Sequence, residues 1–391
     1  FIKESILTTP NNLIQKTTRE KSAKLLDKND LSSLESLTNN VTINGRLFRS
    51  HYVASNRTTI LTSPENRLSK ITIDKNGRLT QKERIGLASS LYAYNTLGQL
   101  ETITVGDGND VRLTQFSYHP EGTLKSITNA ENEVTIFPVY DSIGRLKQQE
   151  LSGSRLISYG YDKNSNLTSI TPPEKPLHEF DFTGMNQLKT YFPPEVDDTL
   201  PTNTSYQYNK DQQLELIQLP NNTIIDFEYD QTTGQLKTII TPRGSLNYQY
   251  RPVTGQLDNI TTPDNDSLSF GYDGFLKTSE TWSGILNGQV KFTFDNNFRL
   301  KNLGVNDDPT ITYQYDNDSL LIQAGDLILN RKTENGLLES TELNNISDQW
   351  LTSQFGETKS YTVNYNNQEI YKVSYPQRDK LGRIKQKIEI Q

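Results

Sequence analysis

The segment Tyr140-Asp141-Ser-Ile-Gly144-Arg-Leu146 decides how this chain is read, because it returns again and again on both sides of itself. Upstream stand Ile73-Asp-Lys-Asn-Gly77-Arg-Leu79, Tyr94-Asn-Thr-Leu-Gly98-Gln-Leu100 and Tyr118-His-Pro-Glu-Gly122-Thr-Leu124. Downstream follow Tyr161-Asp162 with Leu167, Phe182 with Leu188, Tyr208 with Leu214, Tyr229-Asp230 with Gly234 and Leu236, and Tyr250 with Gly255 and Leu257. Weaker copies stand at Tyr272-Asp273, at Phe294-Asp295 with Leu300, and at Tyr315-Asp316, and a last one at Asp379-Lys-Leu-Gly382-Arg-Ile384. From Ile73 to Tyr315 successive anchors lie 21, 24, 22, 21, 21, 26, 21, 21, 22, 22 and 21 residues apart. From Tyr315 to Arg378 the gap is 63 residues, three further periods in which the signature has decayed. Self-similarity at a fixed short period marks a repeat architecture, in which each unit is completed by its neighbours.

Most anchors carry a second aromatic two positions earlier: Tyr92, Phe116, Tyr159, Phe180, Tyr206, Phe227, Tyr248, Phe270, Phe292 and Tyr313. A period of two puts both rings on one face of a strand and turns the polar residue between them, such as Gln207, Glu228 or Gln249, to the other face. After the anchor, Asp or Asn closes a turn on its own downstream backbone, and Gly supplies the positive φ of a tight hairpin. Leu opens the return strand, and Thr and Pro further on end it, as in Ile239-Ile-Thr-Pro242 and Ile260-Thr-Thr-Pro263. One period is therefore strand, turn, strand, turn. A lone hairpin is marginal in water, so the units pair into a long antiparallel ribbon that twists and curls.

Composition agrees. Hydrophobic residues make up 33% of the 391, with 20 Tyr, 14 Phe and one Met, and mean hydropathy is −0.68. That is a strand-forming composition with thin cores. The net charge of −7 and the scattered basic residues exclude a phosphate-neutralising nucleic-acid surface. The absence of cysteine removes disulfides, zinc-thiolate sites and thiol nucleophiles. No apolar run is long enough to span a bilayer. Residues 1–45 lie outside the period, and Leu25, Leu26, Leu31, Leu34 and Leu37 at loose helical spacing make this lead-in irregular or partly helical. Residues 46–391 form one continuous array of about 15 units of about 21 residues. Residues 193–204, with Pro193-Pro194 and Pro201, read as an inserted loop behind the 26-residue spacing.

These signatures resemble the YD repeat of the RHS/YD-repeat family, over residues from about 60 to 391. The resemblance implies an all-β spiral that forms a hollow shell around a toxic C-terminal polypeptide, as in bacterial Rhs polymorphic toxins and the B and C components of Tc toxin complexes. Teneurins use a similar shell in cell adhesion. It further implies a secreted or cell-surface bacterial protein, whose partners are the encapsulated toxin, other segments of the shell, and a secretion apparatus or toxin-complex component. Family members that enclose a toxin end the shell with an Asp-Pro-x-Gly core that cleaves itself. The one Asp-Pro here, Asp308-Pro309, continues as Thr310-Ile311 and carries no such role. Closed shells of this family also use more repeats, so an open or partial turn of spiral is expected.

Candidate chemistry is sparse. His51, His119 and His178 fall in different repeats with no catalytic partner at a recognisable spacing. No phosphate-binding glycine loop occurs. Asp107-Gly-Asn-Asp110 and Asp264-Asn-Asp266 offer oxygen ligands at short spacing, yet neither continues into a calcium loop, and both stand where turns demand Asp, Asn and Gly. No catalytic, cofactor or metal residue is assigned, and no enzyme is expected. The recurring Tyr-Asp positions read as what every repeat needs, an aromatic step and a capped turn. Two functions remain: a structural shell segment around a toxic cargo, and an adhesion module that binds glycan or protein.

Overall fold

The computed structural model describes residues 3–30, 32–108, 110–194 and 202–390. Among them every regular element is a β-strand, and each of the 35 strands pairs antiparallel with the next in sequence. The ribbon runs from β1 (Glu4–Thr8), β2 (Ile14–Leu25) and β3 (Leu34–Ile43) to β34 (Gln368–Arg378) and β35 (Ile384–Ile390). Its two ends do not pair.

Local sequence explains each hairpin. The anchor faces the Leu that opens the return strand, as in Tyr118 with Leu124, Tyr140 with Leu146 and Tyr229 with Leu236. A register shift falls immediately before the anchor in each of these copies. That bulge adds twist and bends the strand, which curls the ribbon in one sense when repeated. The earlier aromatic packs directly across from a branched aliphatic: Tyr92 from Ile103, Phe116 from Ile127, Tyr206 from Ile217, Tyr248 from Ile260. Such cross-strand pairs are the unit of sheet stabilisation. Gln207, Glu228 and Gln249 are exposed on the other face, as alternation requires.

One expectation is corrected. Residues 14–25 and 34–43 are strands, where an irregular or partly helical lead-in was expected. β2 and β3 pair through nine rungs, from Thr17–Ile43 to Leu25–Leu34. β-Branched Thr17, Thr18, Thr38, Val41 and Thr42 suit that ladder, while Leu25 and Leu26 stand at its hairpin end rather than on a helix face. Leu31 and most of the inserted loop, residues 195–201, lie outside the described residues.

The spiral stays an open ribbon, as expected. The ribbon completes one turn and continues into half of another, so that its own edges meet. The turn after β1 contacts the turn after β24 (Ser267–Asp273), and the turn after β3 contacts that after β26 (Gly288–Phe294). The pattern continues with β5 (Thr58–Thr62) and β28 (Ile311–Tyr315), then with β7 (Leu79–Arg84) and β30 (Leu327–Arg331). It closes with β9 (Leu100–Val105) and β32 (Ile346–Thr352), and with β11 (Leu124–Thr128) and β34. Each of these six contacts joins strands whose numbers differ by 23, and a few others, such as the Ala88 N–H to the Gln354 carbonyl, reach one turn further along the same edge. The difference must be odd, because turns after odd strands line one edge of an antiparallel ribbon and turns after even strands line the other. At about 4.8 Å per strand, 23 strands drawn as a circle have a circumference of about 110 Å and a diameter of about 35 Å.

Burial matches a wall one sheet thick. Ala130, Leu276 and Val373 are the only buried apolar residues among those described. The chain exposes 24626 Å², whereas a compact protein of this mass exposes about 15,600 Å².

Candidate functional site

Seven anchor tyrosines tie their repeat to the one before it through the phenol. Tyr94 donates to the Leu79 carbonyl at 2.8 Å, Tyr118 to Leu100 at 2.7 Å and Tyr140 to Leu124 at 2.8 Å. Tyr208 donates to Leu188 at 2.9 Å, Tyr229 to Leu214 at 2.8 Å, Tyr272 to Leu257 at 2.9 Å and Tyr315 to Leu300 at 2.9 Å. The acceptor is always the residue that opens the preceding return strand. Phe182 and Phe294 keep the ring without the donor. Where the signature decays, arginine takes over: Arg331 Nε donates to the Leu321 carbonyl and Arg378 Nη2 to that of Thr358, both at 2.8 Å. Burial raises the phenol pKa of Tyr118, Tyr140 and Tyr229.

The residue after the anchor caps the turn. Asp141 Oδ1 accepts the N–H groups of Ile143 and Arg145 at 3.0 and 2.9 Å, and Asp162 Oδ1 those of Asn164 and Asn166 at 2.8 and 2.9 Å. Asp295 and Asp379 cap in the same way, and Asp316 takes the Leu320 N–H. The Arg145 N–H lowers the pKa of Asp141, the Asn166 side chain that of Asp162 and the Thr233 N–H that of Asp230. Gly144 has φ 85°, and where Gly is missing, Ser165, Gln212 and Ser319 adopt φ 70°, 65° and 69°. The turn geometry thus survives loss of its preferred residue.

The position before the return Leu links neighbouring turns, a role unnoticed in the sequence. Arg145 bonds Asp141 Oδ2 at 2.6 Å, stacks 4.8 Å from the Tyr161 ring centre and donates to the Asp162 carbonyl at 2.7 Å. Arg299 repeats this with Asp295 and Tyr315. Elsewhere Gln spans the gap: Gln99 to the Gly122 carbonyl, Gln213 to Gly234, Gln235 to Gly255. Arg or Gln fills this position in most copies, and that recurrence was the available signal.

The seam between windings is polar and charged. Arg67 Nη1 bonds Asp316 at 2.8 Å and Asp318 at 2.6 Å, with all three side chains only 10 to 11% exposed. Arg112 grips Glu357 through two bonds of 2.7 and 2.9 Å, over the Phe355 ring at 3.6 Å. Arg46 donates to Asn297 Oδ1 at 2.7 Å. The Ala88 N–H donates to the Gln354 carbonyl at 2.7 Å. Asp273, a signature residue, is 3% exposed and held by Thr9 and Asn11. Basic residues stand mostly on the first winding and carboxylates on the second.

A tyrosine-tied hairpin ribbon wound on itself corresponds to a known family: the Teneurin YD-shell model matches residues 2–391. The chain belongs to the Teneurin YD-shell family. Among solved structures its fold is similar to the Tc holotoxin pore of Photorhabdus luminescens carrying a mutation in TccC3, at TM-score 0.58 and 14% identity over 93% of this chain and 23% of that one. The crystal structure of TcdB2-TccC3 is similar at TM-score 0.57 and 12% identity, over 95% of this chain and 27% of that one. This YD-shell chain therefore spans about a quarter of either. No curated protein matches it.

The YD shell does not gather the three histidines. His51 pairs with Thr38 at 2.8 Å, His119 with the Phe137 carbonyl at 3.0 Å and His178 with Tyr191 at 2.8 Å, each with a partner fewer than 20 residues away. Asp264 and Asp266 sit in the turn after β23 (Leu257–Thr261), where Asp264 meets Arg243. Asn109, within the other acidic stretch, lies outside the described residues. Among the described residues no group of three potential ligands is poised to hold a metal.

Proposed function

We propose that this YD-shell segment forms part of the wall of a hollow container, secreted or displayed at the bacterial surface, that encloses a toxic polypeptide lying outside these residues. The single observation that carries the reading is the surface area, about 1.6 times that of a compact protein of the same mass, on a sheet one layer thick that winds past itself. A wall of that kind has a second wetted face, which a cargo can occupy. The solved structures with a similar fold belong to toxin assemblies, which supports a toxin as cargo and other toxin-complex or secretion components as partners.

In this reading the Tyr-Asp signature is the structural code of the wall, and the wall performs no chemical step. Its action is steric: it keeps an unfolded or partly folded chain from proteases and from other chains. A glycan-binding reading calls for a cluster of exposed rings. Among the described residues the exposed aromatics, Phe192, Phe275 and Tyr365, stand in separate repeats.

Electron cryomicroscopy of the full-length gene product tests the reading. The expected result is a lumen bounded by this ribbon and filled by density for another part of the polypeptide. A solid body, or a lumen that stays empty in the intact product, overturns it.

A further inference from the structure

Three turns on one edge of the ribbon share one local geometry. They are Thr9-Pro10-Asn11-Asn12, Ser63-Pro64-Glu65-Asn66 and Thr262-Pro263-Asp264-Asn265. In each, the first residue's hydroxyl oxygen accepts the N–H four residues on: Leu13 at 3.2 Å, Arg67 at 3.1 Å and Asp266 at 3.1 Å. In each, the closing Asn has positive φ, at 65°, 61° and 64°, and returns its N–H to the first residue's carbonyl. A hydroxyl whose oxygen already accepts an amide still has its own O–H to donate.

In two of the turns that O–H and the third residue's N–H grip both oxygens of one carboxylate. Thr9 Oγ1 donates to Asp273 Oδ2 at 2.6 Å while Asn11 N donates to Oδ1 at 2.8 Å. Ser63 Oγ donates to Asp318 Oδ2 at 2.7 Å while Glu65 N donates to Oδ1 at 3.0 Å. Both carboxylates come from the winding stacked 23 strands further along. Charge-assisted bonds of this kind are the strong ones, and two at once fix orientation.

The third turn follows β23 and lies on the same edge. Its Thr262 O–H and Asp264 N–H have no protein acceptor among the described residues, and Asp264 and Asn265 are exposed. We propose that Thr262-Pro263-Asp264 is a third carboxylate clamp, and that its occupant is an Asp or Glu in a turn of a further YD winding. The seam's own register leads to this occupant, since a strand number raised by 23 places the turn after the forty-sixth strand of a continuing ribbon on the turn after β23. Ribbon of this type also presents the carboxylate: Asp211 and Glu121 stand third after Tyr208 and Tyr118, as Asp318 does after Tyr315, and both are exposed. The acid at the third position is no obstacle, because Glu65 in the Ser63 clamp accepts the N–H of Asn317, the residue before the bound Asp318. Asp264 is in addition paired with Arg243. Related turns lack one donor or the other: Leu219-Pro220-Asn221-Asn222 has no hydroxyl, and Thr171-Pro172-Pro173 has no N–H at its third residue.

The inference rests on the seam and is independent of any cargo. The test titrates the 391-residue chain with a cyclised hairpin peptide that copies residues 313–321, the turn that fills the Ser63 clamp, and follows the Asp264 amide resonance by NMR. A saturable shift is expected. It should weaken about tenfold in the Thr262→Val chain and equally with a peptide carrying Asp318→Asn, the loss of one charge-assisted bond. The peptide variant leaves the protein untouched, so a folding defect cannot imitate the result. No saturable shift, or affinity indifferent to both changes, overturns the proposal. Self-association of the chain in sedimentation, abolished by Thr262→Val, also overturns it by making the occupant a second copy.

Discussion

The phenol O–H of Tyr118 donates to the Leu100 carbonyl at 2.7 Å, which ties one repeat to the last through a group that lies outside the strand ladder. Tyr118→Phe keeps the ring and removes that bond, as Phe182 and Phe294 do naturally. The expected loss in denaturant-unfolding stability is about 0.5–1.5 kcal/mol. Tyr118→Ala, which also removes the cross-repeat packing, should cost about 3 kcal/mol or more. Equal losses for the two variants would show that the hydroxyl contributes nothing.

Arg67 stands between Asp316 and Asp318 at the seam, with about a tenth of each side chain exposed. Arg67→Ala leaves two neighbouring carboxylates of the second winding without their cation. The expected cost is about 2–3 kcal/mol, between that of an exposed and a fully buried pair. Hydrogen exchange should accelerate in the turns around residues 63–67 and 316–319 before it does elsewhere. A uniform change along the ribbon would count against a localised seam.

Two glycines separate backbone strain from close packing. At Gly153, φ 83°, a Cβ meets nothing within 4 Å; at Gly86, φ 77°, it lies 2.7 Å from Asn335 Nδ2 and 2.9 Å from Glu334 Cγ. Gly153→Ala should cost about 1–2 kcal/mol from left-handed strain alone. Gly86→Ala adds a clash across the seam and should lower the melting temperature further, by a margin read in the same calorimetric scan.

The ladder also sets a pH window. Hydrogen bonds lower the folded pKa of Asp141, Asp162 and Asp230, so their contribution is present above the unfolded value of about 3.9 and is lost as pH falls below it. Burial raises the folded pKa of Tyr118, Tyr140 and Tyr229, so theirs is present below about 10 and is lost as pH rises through the folded values. Stability should form a plateau between those limits. Phenolate absorbance should rise together with loss of the strand signal at the alkaline edge. Phenolate formation in a fully folded chain would contradict this coupling.

Much of the repeat was legible because its rules are local. Period-two aromatics, Asp or Asn in the turn and the return Leu each report on a handful of neighbouring residues, so Tyr140 to Leu146 alone reveals a hairpin. The lead-in was misread because β2 is mostly polar and its strand state comes from its partner β3, not from its own pattern. The seam was illegible for a related reason: Thr9 and Asp273 stand 264 residues apart, and nothing in either signals the other. Arg331 hid a repeat, since a guanidinium performs the tyrosine's bond while erasing its signature, whereas the Arg378 copy stayed legible through Asp379, Gly382 and Ile384.

Small-angle X-ray scattering of the 391-residue chain tests the central claim, a ribbon wound on itself around a lumen, most directly. An unwound ribbon of 35 strands would extend to about 170 Å at about 4.8 Å per strand. The winding predicts a maximum dimension below half of that, with a radius of gyration above the value of about 21 Å for a solid globule of this length. A maximum dimension near 170 Å, or the radius of gyration of a solid globule, would contradict it.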